Sequence, residues 1–370
     1  MSIIPKSPSC DWLYDYCEPK LVEGKAYAID KTKVLYKLDQ NECPDDWPRE
    51  LKEKICRSLL EQEWNRYPSP YSEELFKLLA EYAGVGADHV IAGPGSNHLI
   101  SLLLSTFTKH LKGELRISRP SFPLYEQHCL MNGVPYKTWD LDKDFNFNID
   151  DLEGLPENSL VVFASPNNPV GNVLSKQKLK ALLAKNPKSL FIADEAYYEF
   201  SSQPYTELLA EFDNLILLRT LSKAMGTAGL RLGYLLASKE VIELMRKVTL
   251  PYLLNRFTIT AACEVLRDKG SRKRMLEVVD FVKGEKSRML NELSGTSFRS
   301  GFKVFDSEAN FLLFKWKDQE VFKKAYQQLL ESGVQARDVS SGPALAGCMR
   351  LTIGSKKEND FVLKVFKEHL

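Results

Sequence analysis

The hydrophobic pattern of this chain of 370 residues consists of short apolar runs that alternate with helix-like segments. Strands without polar alternation are buried on both faces, which is typical of parallel strands covered by helices. The pattern therefore predicts an α/β fold whose mostly parallel central sheet is sandwiched by helices. In chain order the segments are VIAG (90–93), LISLLLSTF (99–107), LRIS (115–118), LVVFAS (160–165), LKALLA (179–184), LFIAD (190–194) and NLILLRT (214–220).

The pattern changes after about residue 250. A long, charged, amphipathic stretch at 256–294 is followed by FKVFDSEANFLLFKW, a further helix-like segment and MRLTIG. This order indicates a smaller α+β domain at the C-terminal end. We predict three parts: an N-terminal segment that packs on the small domain (1–44), a large ligand-binding domain (45–255) and the small domain (256–370).

Composition narrows the class of protein. The 50 Lys and Arg residues nearly cancel the 49 Asp and Glu residues, so no strong field favours nucleic acid or an anionic membrane. No apolar run is long enough to span a bilayer, and the first residues do not resemble a secretory signal. Seven cysteines without a CxxC pair indicate a reducing compartment rather than disulfides or structural zinc. We therefore expect a cytoplasmic enzyme without a metal site.

Polar residues follow the predicted strands, where ligands bind in open parallel sheets. After VIAG, Gly95 permits a tight turn, and Ser96 or Asn97 can cap the next helix. A glycine-rich turn into a helix N-terminus is an anion site, although an ordinary capped helix explains the pattern too. Further on, Phe122 follows a strand and could stack on a planar ligand, although aromatic residues are usually core.

Two later strands end in carboxylate and amide groups. Asp194 ends a strand that is predicted to be wholly buried, where a carboxylate is costly without a cationic partner. Tyr197 lies three residues further on. Asn168 follows LVVFAS, and only its position favours a role in binding because turn chemistry also explains Asn-Pro.

The segment RTLSKAMGTAGLRLG (219–233) follows the next buried run. Thr220, Ser222 and Arg231 surround Lys223, which suggests a pocket for a phosphate that carries an aldehyde. By itself Lys223 could be a solvated surface lysine. Taken with the other strand ends, the segment predicts a planar ligand with a phosphate, a cationic ring nitrogen and a carbonyl. Pyridoxal 5′-phosphate meets each of these requirements.

From about Leu35 to its end, the chain resembles the fold-type I aminotransferases. The blocks SPNNPVG, ADEAY, RTLSKAMGTAGLRLG and MRLTIG carry the resemblance, in this order. The resemblance implies that Lys223 forms a Schiff base with pyridoxal phosphate and that Asp194 holds the ring nitrogen. It also implies that Tyr197 and Asn168 bind the ring oxygen and that Phe122 stacks on the ring. The implied phosphate ligands are Gly95, Ser96, Asn97, Thr220, Ser222 and Arg231.

Three further blocks resemble the histidinol-phosphate aminotransferases of histidine biosynthesis. LDQNECP implies that Asn41 lies near the substrate. WNRYPSP implies that Tyr67 reaches the cofactor phosphate and substrate of a partner, so that a homodimer shares its active sites. Arg350 in MRLTIG would bind a substrate carboxylate, or a phosphate where the substrate has none, and Arg337 in ARDVSSG would bind the substrate phosphate. The substrates would be an amino donor, histidinol phosphate, and a 2-oxo acid.

Some positions depart from the family pattern, and other functions stay open. Asn97 and His98 replace an acidic pair, Val170 replaces a threonine, and RYPSP lacks an aspartate after the proline. The alternatives on the same cofactor are a threonine-phosphate decarboxylase and a broad or aromatic amino-acid aminotransferase. A non-catalytic regulator that senses the cofactor is disfavoured because Lys223 is retained. A nicotinamide dehydrogenase is disfavoured because no glycine fingerprint is present.

Overall fold

The structure is a computed structural model that describes residues 34–369, without the side chains of residues 295–300, 343 and 369. Within that range, no helix has the length and apolarity needed to cross a bilayer. The helices are α1 (Arg49–Leu60), α2 (Glu73–Ala83), α3 (Ser96–Thr108), α4 (Leu124–Met131), α5 (Lys176–Lys185), α6 (Lys239–Val248), α7 (Arg256–Arg267), α8 (Lys269–Ser300), α9 (Gln319–Glu331) and α10 (Lys356–His369). The strands are β1 (Tyr36–Lys37), β2 (Val90–Gly93), β3 (Leu115–Arg119), β4 (Lys137–Asp140), β5 (Leu160–Ala164), β6 (Leu190–Asp194), β7 (Leu215–Thr220), β8 (Gly233–Leu236), β9 (Phe302–Phe305), β10 (Phe311–Trp316), β11 (Val334–Gln335), β12 (Arg337–Asp338) and β13 (Cys348–Thr352).

A seven-stranded sheet forms the centre of the larger part of the molecule. Its strand order is β2-β8-β7-β6-β5-β3-β4, and only β8 runs antiparallel to its neighbours. Every residue of β5 and β7 is buried, as expected for continuous apolar runs in a parallel sheet covered on both faces. The predicted α/β fold with a mostly parallel central sheet is confirmed.

The C-terminal part contains a second sheet, of order β12-β13-β10-β9, with all pairs antiparallel. The charged stretch after residue 255 forms two helices, α7 and α8, because Asp268 leaves helical geometry and its side chain caps α8 by accepting from the Ser271 N–H. Strand β1 pairs in parallel with β11, which attaches the described end of the N-terminal segment to this part. Residues 1–33 of the predicted segment lie outside the described residues. The three-part division of the chain stays a prediction.

The loop between β9 and β10 connects the two sheets. The Glu308 N–H donates to the Gly171 carbonyl (2.7 Å), and the Asn310 side-chain amide donates to the Asn41 carbonyl (3.1 Å). From α8, the buried Lys286 amine donates to the carbonyls of Ser307 and Ala309. This loop therefore joins the second sheet to the polar edge of the first.

Candidate active site

Three parallel strands bring three predicted site residues to one edge of the central sheet. Strands β5, β6 and β7 are neighbours, with Ala164 opposite Asp194 and Asp194 opposite Leu218. Asn168 and Lys223 come shortly after the ends of β5 and β7, and Asp194 is the last residue of β6. Because parallel strands end at a common edge, residues that are far apart in sequence become neighbours here.

Lys223 is half-buried, and its amine is held by a hydrogen bond. Its Nζ donates to the Gln40 carbonyl at 2.9 Å and lies 5.9 Å from the centre of the Tyr197 ring. Burial lowers the pKa of the Lys223 amine to about 8, and the positive charge of Arg350 acts in the same direction. The amine is therefore easier to deprotonate than an ordinary lysine, as a nucleophile or base requires. Gln40 was not predicted, since a backbone carbonyl leaves no signal in the sequence.

Asp194 is 5% exposed, and both of its oxygens accept hydrogen bonds. The Tyr125 hydroxyl donates to Oδ2 at 2.7 Å, and the Ala196 N–H donates to Oδ1 at 3.0 Å. Burial raises the pKa of the Asp194 carboxyl to about 6, whereas the hydrogen bond from Tyr125 opposes that shift. A carboxylate in this position is suited to a buried cationic group. The sequence did not predict the contact with Tyr125, because 69 residues separate the two side chains.

A buried ion pair lies directly behind these residues. Arg219 donates to Glu195 at 2.6 Å, and both side chains are 1% exposed. The Arg219 guanidinium also lies 3.7 Å from the centre of the Tyr198 ring, and the second Glu195 oxygen accepts from the Tyr205 N–H at 2.8 Å. Removing one member of such a pair leaves an uncompensated buried charge. The pair therefore fixes the ends of β6 and β7 next to the site.

The N-terminus of α3 forms an uncapped cradle. Gly95, at φ 85°, takes the cap position and no side chain caps the helix, so the expectation that Ser96 or Asn97 acts as the cap was wrong. A Cβ on Gly95 would lie 2.6 Å from the Arg231 guanidinium, and one on Gly233 would lie 2.5 Å from the Ser96 nitrogen. Glycine is therefore required for this close approach. Free N–H groups beside a guanidinium form an anion site.

Two hydroxyls that were predicted to join this cradle lie at the end of β7. The Thr220 and Ser222 oxygens are 3.0 Å apart, and the Thr220 hydroxyl also contacts the Leu232 carbonyl at 3.1 Å. The backbone N–H of Ser222 donates to the Thr220 oxygen at 3.1 Å. Both side chains are buried, so this local network holds them on the side of the sheet that carries Arg231 and Gly233.

A second group of residues comes from the smaller sheet. Arg350 is 7% exposed; it donates to the Asn168 side chain at 2.5 Å and to the Asp39 carbonyl at 2.6 Å. Arg337 pairs with Arg350 across β12 and β13, so the two side chains leave the same face of the sheet. The positive charge of Arg337 also acts on Asp39, a buried carboxyl whose pKa is raised by burial. Two cations therefore lie next to each other at this end of the site.

Asn41 and Tyr197 link the N-terminal segment to the central sheet. The Asn41 amide donates to the Tyr197 hydroxyl at 2.8 Å, and its backbone N–H donates to the Thr352 hydroxyl at 2.9 Å. Asn41 has φ 55°, a left-handed conformation that asparagine tolerates better than most residues. The edge of the Tyr197 ring packs on Phe311. The structure thus brings both predicted residues together.

The remaining two aromatic residues lie in different surroundings. Phe122 is half-buried, and its ring makes an edge contact with Tyr125, whose hydroxyl reaches Asp194. Tyr67 is 79% exposed and stacks on Tyr252, with ring centres 4.6 Å apart. Tyr67 therefore makes its ring contact on the surface of the protein.

Comparison with known proteins identifies the family. The aminotransferase class I and II family matches residues 33–366. Histidinol-phosphate aminotransferases from Pyrococcus furiosus and Thermoanaerobacter pseudethanolicus are 37% and 34% identical to this chain; the matches cover 90% and 94% of this chain and 92% and 96% of those proteins. The crystal structure of the Sinorhizobium meliloti histidinol-phosphate aminotransferase with pyridoxal 5′-phosphate has the same fold (TM-score 0.79, 20% identity, covering 95% of this chain and 98% of that one). The chain belongs to the class I and II aminotransferases.

Proposed function

We propose that this chain is a pyridoxal-phosphate-dependent aminotransferase that transfers the amino group of histidinol phosphate to 2-oxoglutarate. The products are imidazole acetol phosphate and glutamate, as in histidine biosynthesis. The observation that carries the proposal is the Lys223 amine, which is held by the Gln40 carbonyl at 2.9 Å next to the strand end that carries Asp194 and whose pKa is lowered by burial to about 8. The names of the relatives at 34% and 37% identity support the choice of substrate.

The residues present fit pyridoxal phosphate. The uncapped α3 N-terminus and Arg231 suit a phosphate, the Lys223 amine suits an aldehyde, and the buried Asp194 carboxylate suits a protonated ring nitrogen. When bound, this cofactor supplies an electron-accepting ring that stabilises the charge left when a proton leaves the substrate α-carbon. The residues proposed to hold it are Gly95, Ser96, Asn97, Phe122, Asn168, Asp194, Tyr197, Thr220, Ser222, Lys223 and Arg231, with Tyr67 from a partner subunit.

Lys223 performs the proton transfer in this proposal. A neutral amine at Nζ can take the proton from the substrate α-carbon, and its lowered pKa makes the neutral form accessible near pH 8. The Gln40 carbonyl holds the amine at 2.9 Å, so the amine has a defined position before substrate arrives. Asp194 carries the negative charge that a cationic ring nitrogen requires.

Arg337 and Arg350 select the substrates. Their adjacent positions on β12 and β13 provide two guanidinium groups for anions, and guanidinium groups bind phosphate and carboxylate in bidentate fashion. Histidinol phosphate brings a phosphate and no carboxylate, whereas 2-oxoglutarate brings two carboxylates. The same pair of arginines can therefore bind both substrates in turn, with Asn41 and the partner's Tyr67 lining the same space.

The test is the visible spectrum of protein loaded with pyridoxal phosphate, with histidinol phosphate or phenylalanine added separately. Histidinol phosphate should remove the band of the lysine-bound cofactor, and phenylalanine should do so much less, because phenylalanine offers no phosphate to Arg337. Lys223→Ala should lack the band and lose at least about 10³-fold in turnover. Wild-type protein without such a band would contradict the proposal at its root.

The same protein separates the alternatives when threonine phosphate is added as a third substrate and released CO₂ is measured. Conversion of phenylalanine alone would retain the aminotransferase activity and reject the phosphate-bearing substrate. Release of CO₂ from threonine phosphate, without amine transfer, would indicate the decarboxylase. Both outcomes keep Lys223 as the amine for the cofactor aldehyde and Asp194 as the partner of the ring nitrogen, and they change the assignment of Arg337 and Arg350. The decarboxylase outcome would also remove the need for Lys223 to take the α-proton, because the bond to CO₂ breaks instead.

A homodimer with shared active sites is part of this proposal. The segments 64–67 and 252–257 expose a common aromatic surface, in which Trp64 packs on Phe257 and Tyr67 stacks on Tyr252. Large exposed apolar patches are typical of protein interfaces. Mixing Lys223→Ala with Tyr67→Ala protomers should restore part of the activity that each variant lacks. A protein that sediments as a fully active monomer would reject the shared site.

We also propose a cytoplasmic location. The five cysteines in the described part of the chain are free thiols, which is typical of a reducing compartment.

A further inference from the structure

Tyr125 lies on the cofactor side of the site and has no role in the function proposed above. It sits in the first turn of α4, is 0% exposed, and its hydroxyl donates to Asp194 at 2.7 Å. Among the described residues it is the one side chain that donates to this carboxylate; the other donor is the Ala196 backbone N–H.

We propose that Tyr125 is a positioning residue for the cofactor: its hydroxyl orients the Asp194 carboxylate and keeps it ionised, so that the carboxylate can hold a protonated ring nitrogen. The inference rests on the proposed use of pyridoxal phosphate. Tyr125 acts through Asp194.

The orientation argument follows from the two hydrogen bonds. Tyr125 fixes Oδ2 and the Ala196 N–H fixes Oδ1, so the carboxylate plane has a defined direction in the unliganded protein. Each carboxylate oxygen has a second lone pair and can accept a further hydrogen bond. Fixing the acceptor in advance removes ordering that binding would otherwise require.

The charge argument follows from the surroundings of Asp194. Burial and the neighbouring Glu195 favour the protonated carboxyl, whereas the Tyr125 hydrogen bond, the Ala196 N–H and the Lys223 charge favour the carboxylate. Tyr197 also faces Asp194, and the pKa of its phenol is raised by burial, so it adds no charge. Burial raises the pKa of the Tyr125 phenol well above its ordinary value too, so the hydroxyl stays protonated and can donate at neutral pH. Without this donor the pKa of Asp194 must rise above about 6.

The test compares Tyr125→Phe with a matched control. Phenylalanine keeps the ring and its edge contact with Phe122 and removes only the hydroxyl. Tyr82→Phe makes the same change at a second tyrosine that donates to a half-buried carboxyl, Glu199 (3.2 Å), which is not among the residues proposed to hold the cofactor. Tyr125→Met is a second removal of the hydroxyl, with a flexible apolar side chain that fills the space. Thermal unfolding of each cofactor-free variant establishes that it is folded.

Two quantities are measured from pH 5 to pH 9. The first is the ionisation of Asp194 in cofactor-free protein, followed by ¹³C NMR, with the carboxyl resonance assigned by its loss in Asp194→Asn. The second is the rate at which pyridoxal phosphate dissociates from the loaded protein. Both Tyr125 variants should shift the Asp194 midpoint upward by about one pH unit, the worth of one hydrogen bond to a charged group. At pH 5 the cofactor should leave up to about tenfold faster, and at pH 7 only about twofold faster, because a midpoint raised from about 6 to about 7 still leaves roughly half of the carboxyls ionised there. The difference should vanish towards pH 9, where Asp194 is ionised in both proteins. Tyr82→Phe should change neither quantity.

An unchanged Asp194 midpoint in a folded Tyr125 variant would overturn the inference. Faster dissociation by the same factor at every pH would also overturn it, because that result is expected of packing alone. If the wild type binds no pyridoxal phosphate, the proposed function fails, whereas the NMR titration still decides whether Tyr125 controls Asp194.

Discussion

The two ends of the candidate site are built in different ways. The cofactor end is formed by residues at or just after the ends of neighbouring strands of one sheet, with Asp194 and Lys223 as its centre. The substrate end is formed by contacts between separate parts of the chain: Arg350 reaches Asn168 across 182 residues, and Asn41 reaches Tyr197 across 156 residues. The cofactor end depends on a single sheet, and the substrate end depends on the junction between the two sheets.

This difference predicts a separation of effects. Changes at the cofactor end should alter cofactor binding and the chemical step, because those groups are the ones proposed to hold the cofactor. Changes at the substrate end should alter KM and leave the cofactor in place. Changes at the loop that joins the sheets should alter stability first. The predictions below test that separation, from the largest expected effect to the smallest.

At the cofactor end, Asp194→Asn should lower kcat by roughly 10²–10³-fold, the range for losing one preorganised electrostatic group. The amide keeps the shape of the carboxylate and loses its charge, so a protonated ring nitrogen is no longer stabilised. The cofactor should also dissociate faster at neutral pH. Steady-state kinetics and the visible spectrum provide the measurements. A variant with normal kcat would show that the charge of Asp194 is not needed and would remove the basis of the comparison.

At the substrate end, Arg350→Lys should lower kcat/KM by about 10–100-fold, because lysine keeps the charge and loses the bidentate fork. Most of the loss should appear in KM, for histidinol phosphate and 2-oxoglutarate alike, and the band of the bound cofactor should stay. Arg116→Lys is a matched control on strand β3, where the arginine pairs with Glu114 at 2.8 Å outside the site. Loss of the cofactor from Arg350→Lys would show that the two ends are not separable.

At the junction, Lys286→Met should change how stability depends on pH. Burial lowers the pKa of the Lys286 amine to about 8 in the folded protein. Between about pH 8 and the ordinary lysine value, roughly 10.4, the unfolded chain binds more protons than the folded one, so stability rises with pH. Lys223 contributes in the same window because its pKa is lowered to about 8 too. Between pH 8 and pH 10, the free energy of unfolding of Lys286→Met should therefore rise by only about half of the amount that these two lysines together produce in the wild type.

The measurement is urea unfolding of cofactor-free protein at pH 8, 9 and 10. Lys273→Met is the control, since this lysine lies on the same helix with its side chain 80% exposed. It should leave the pH dependence as in the wild type. An equal slope in Lys286→Met and the wild type would mean that Lys286 does not stay buried in solution.

The sequence predicted much of the fold, for a local reason. Apolar runs marked β2, β3, β5, β6 and β7, since strands covered on both faces need hydrophobic residues at every position. It did not mark β8, whose GYLL follows directly after the glycine-rich segment around Lys223, or β4, whose KTWD has mixed polarity. The order of strands, with β8 inserted antiparallel between β2 and β7, follows from pairing in space and has no local signal.

The site shows the same division. The identities of Asp194, Asn168 and Lys223 as candidates followed from their positions after buried strands, together with the family motifs. Their partners did not: the Tyr125 hydroxyl on Asp194, the Gln40 carbonyl on Lys223 and the Gly95 cap of α3 are tertiary or conformational facts. A sequence lists which groups are available, and hydrogen bonds form only between groups that folding brings within about 3 Å.

By itself, therefore, the sequence determined the α/β class, five of the seven strands of the central sheet and the chemical types at their ends, because burial and turn chemistry act over a few residues. The tertiary structure decided which of these groups meet. It placed Arg350 against Asn168 and Asp39, joined Asn41 to Tyr197, and buried Asp194 and Lys223 deeply enough to shift their pKa values towards neutrality. Desolvation and long-range contact exist only in the folded chain, and they make these residues a site.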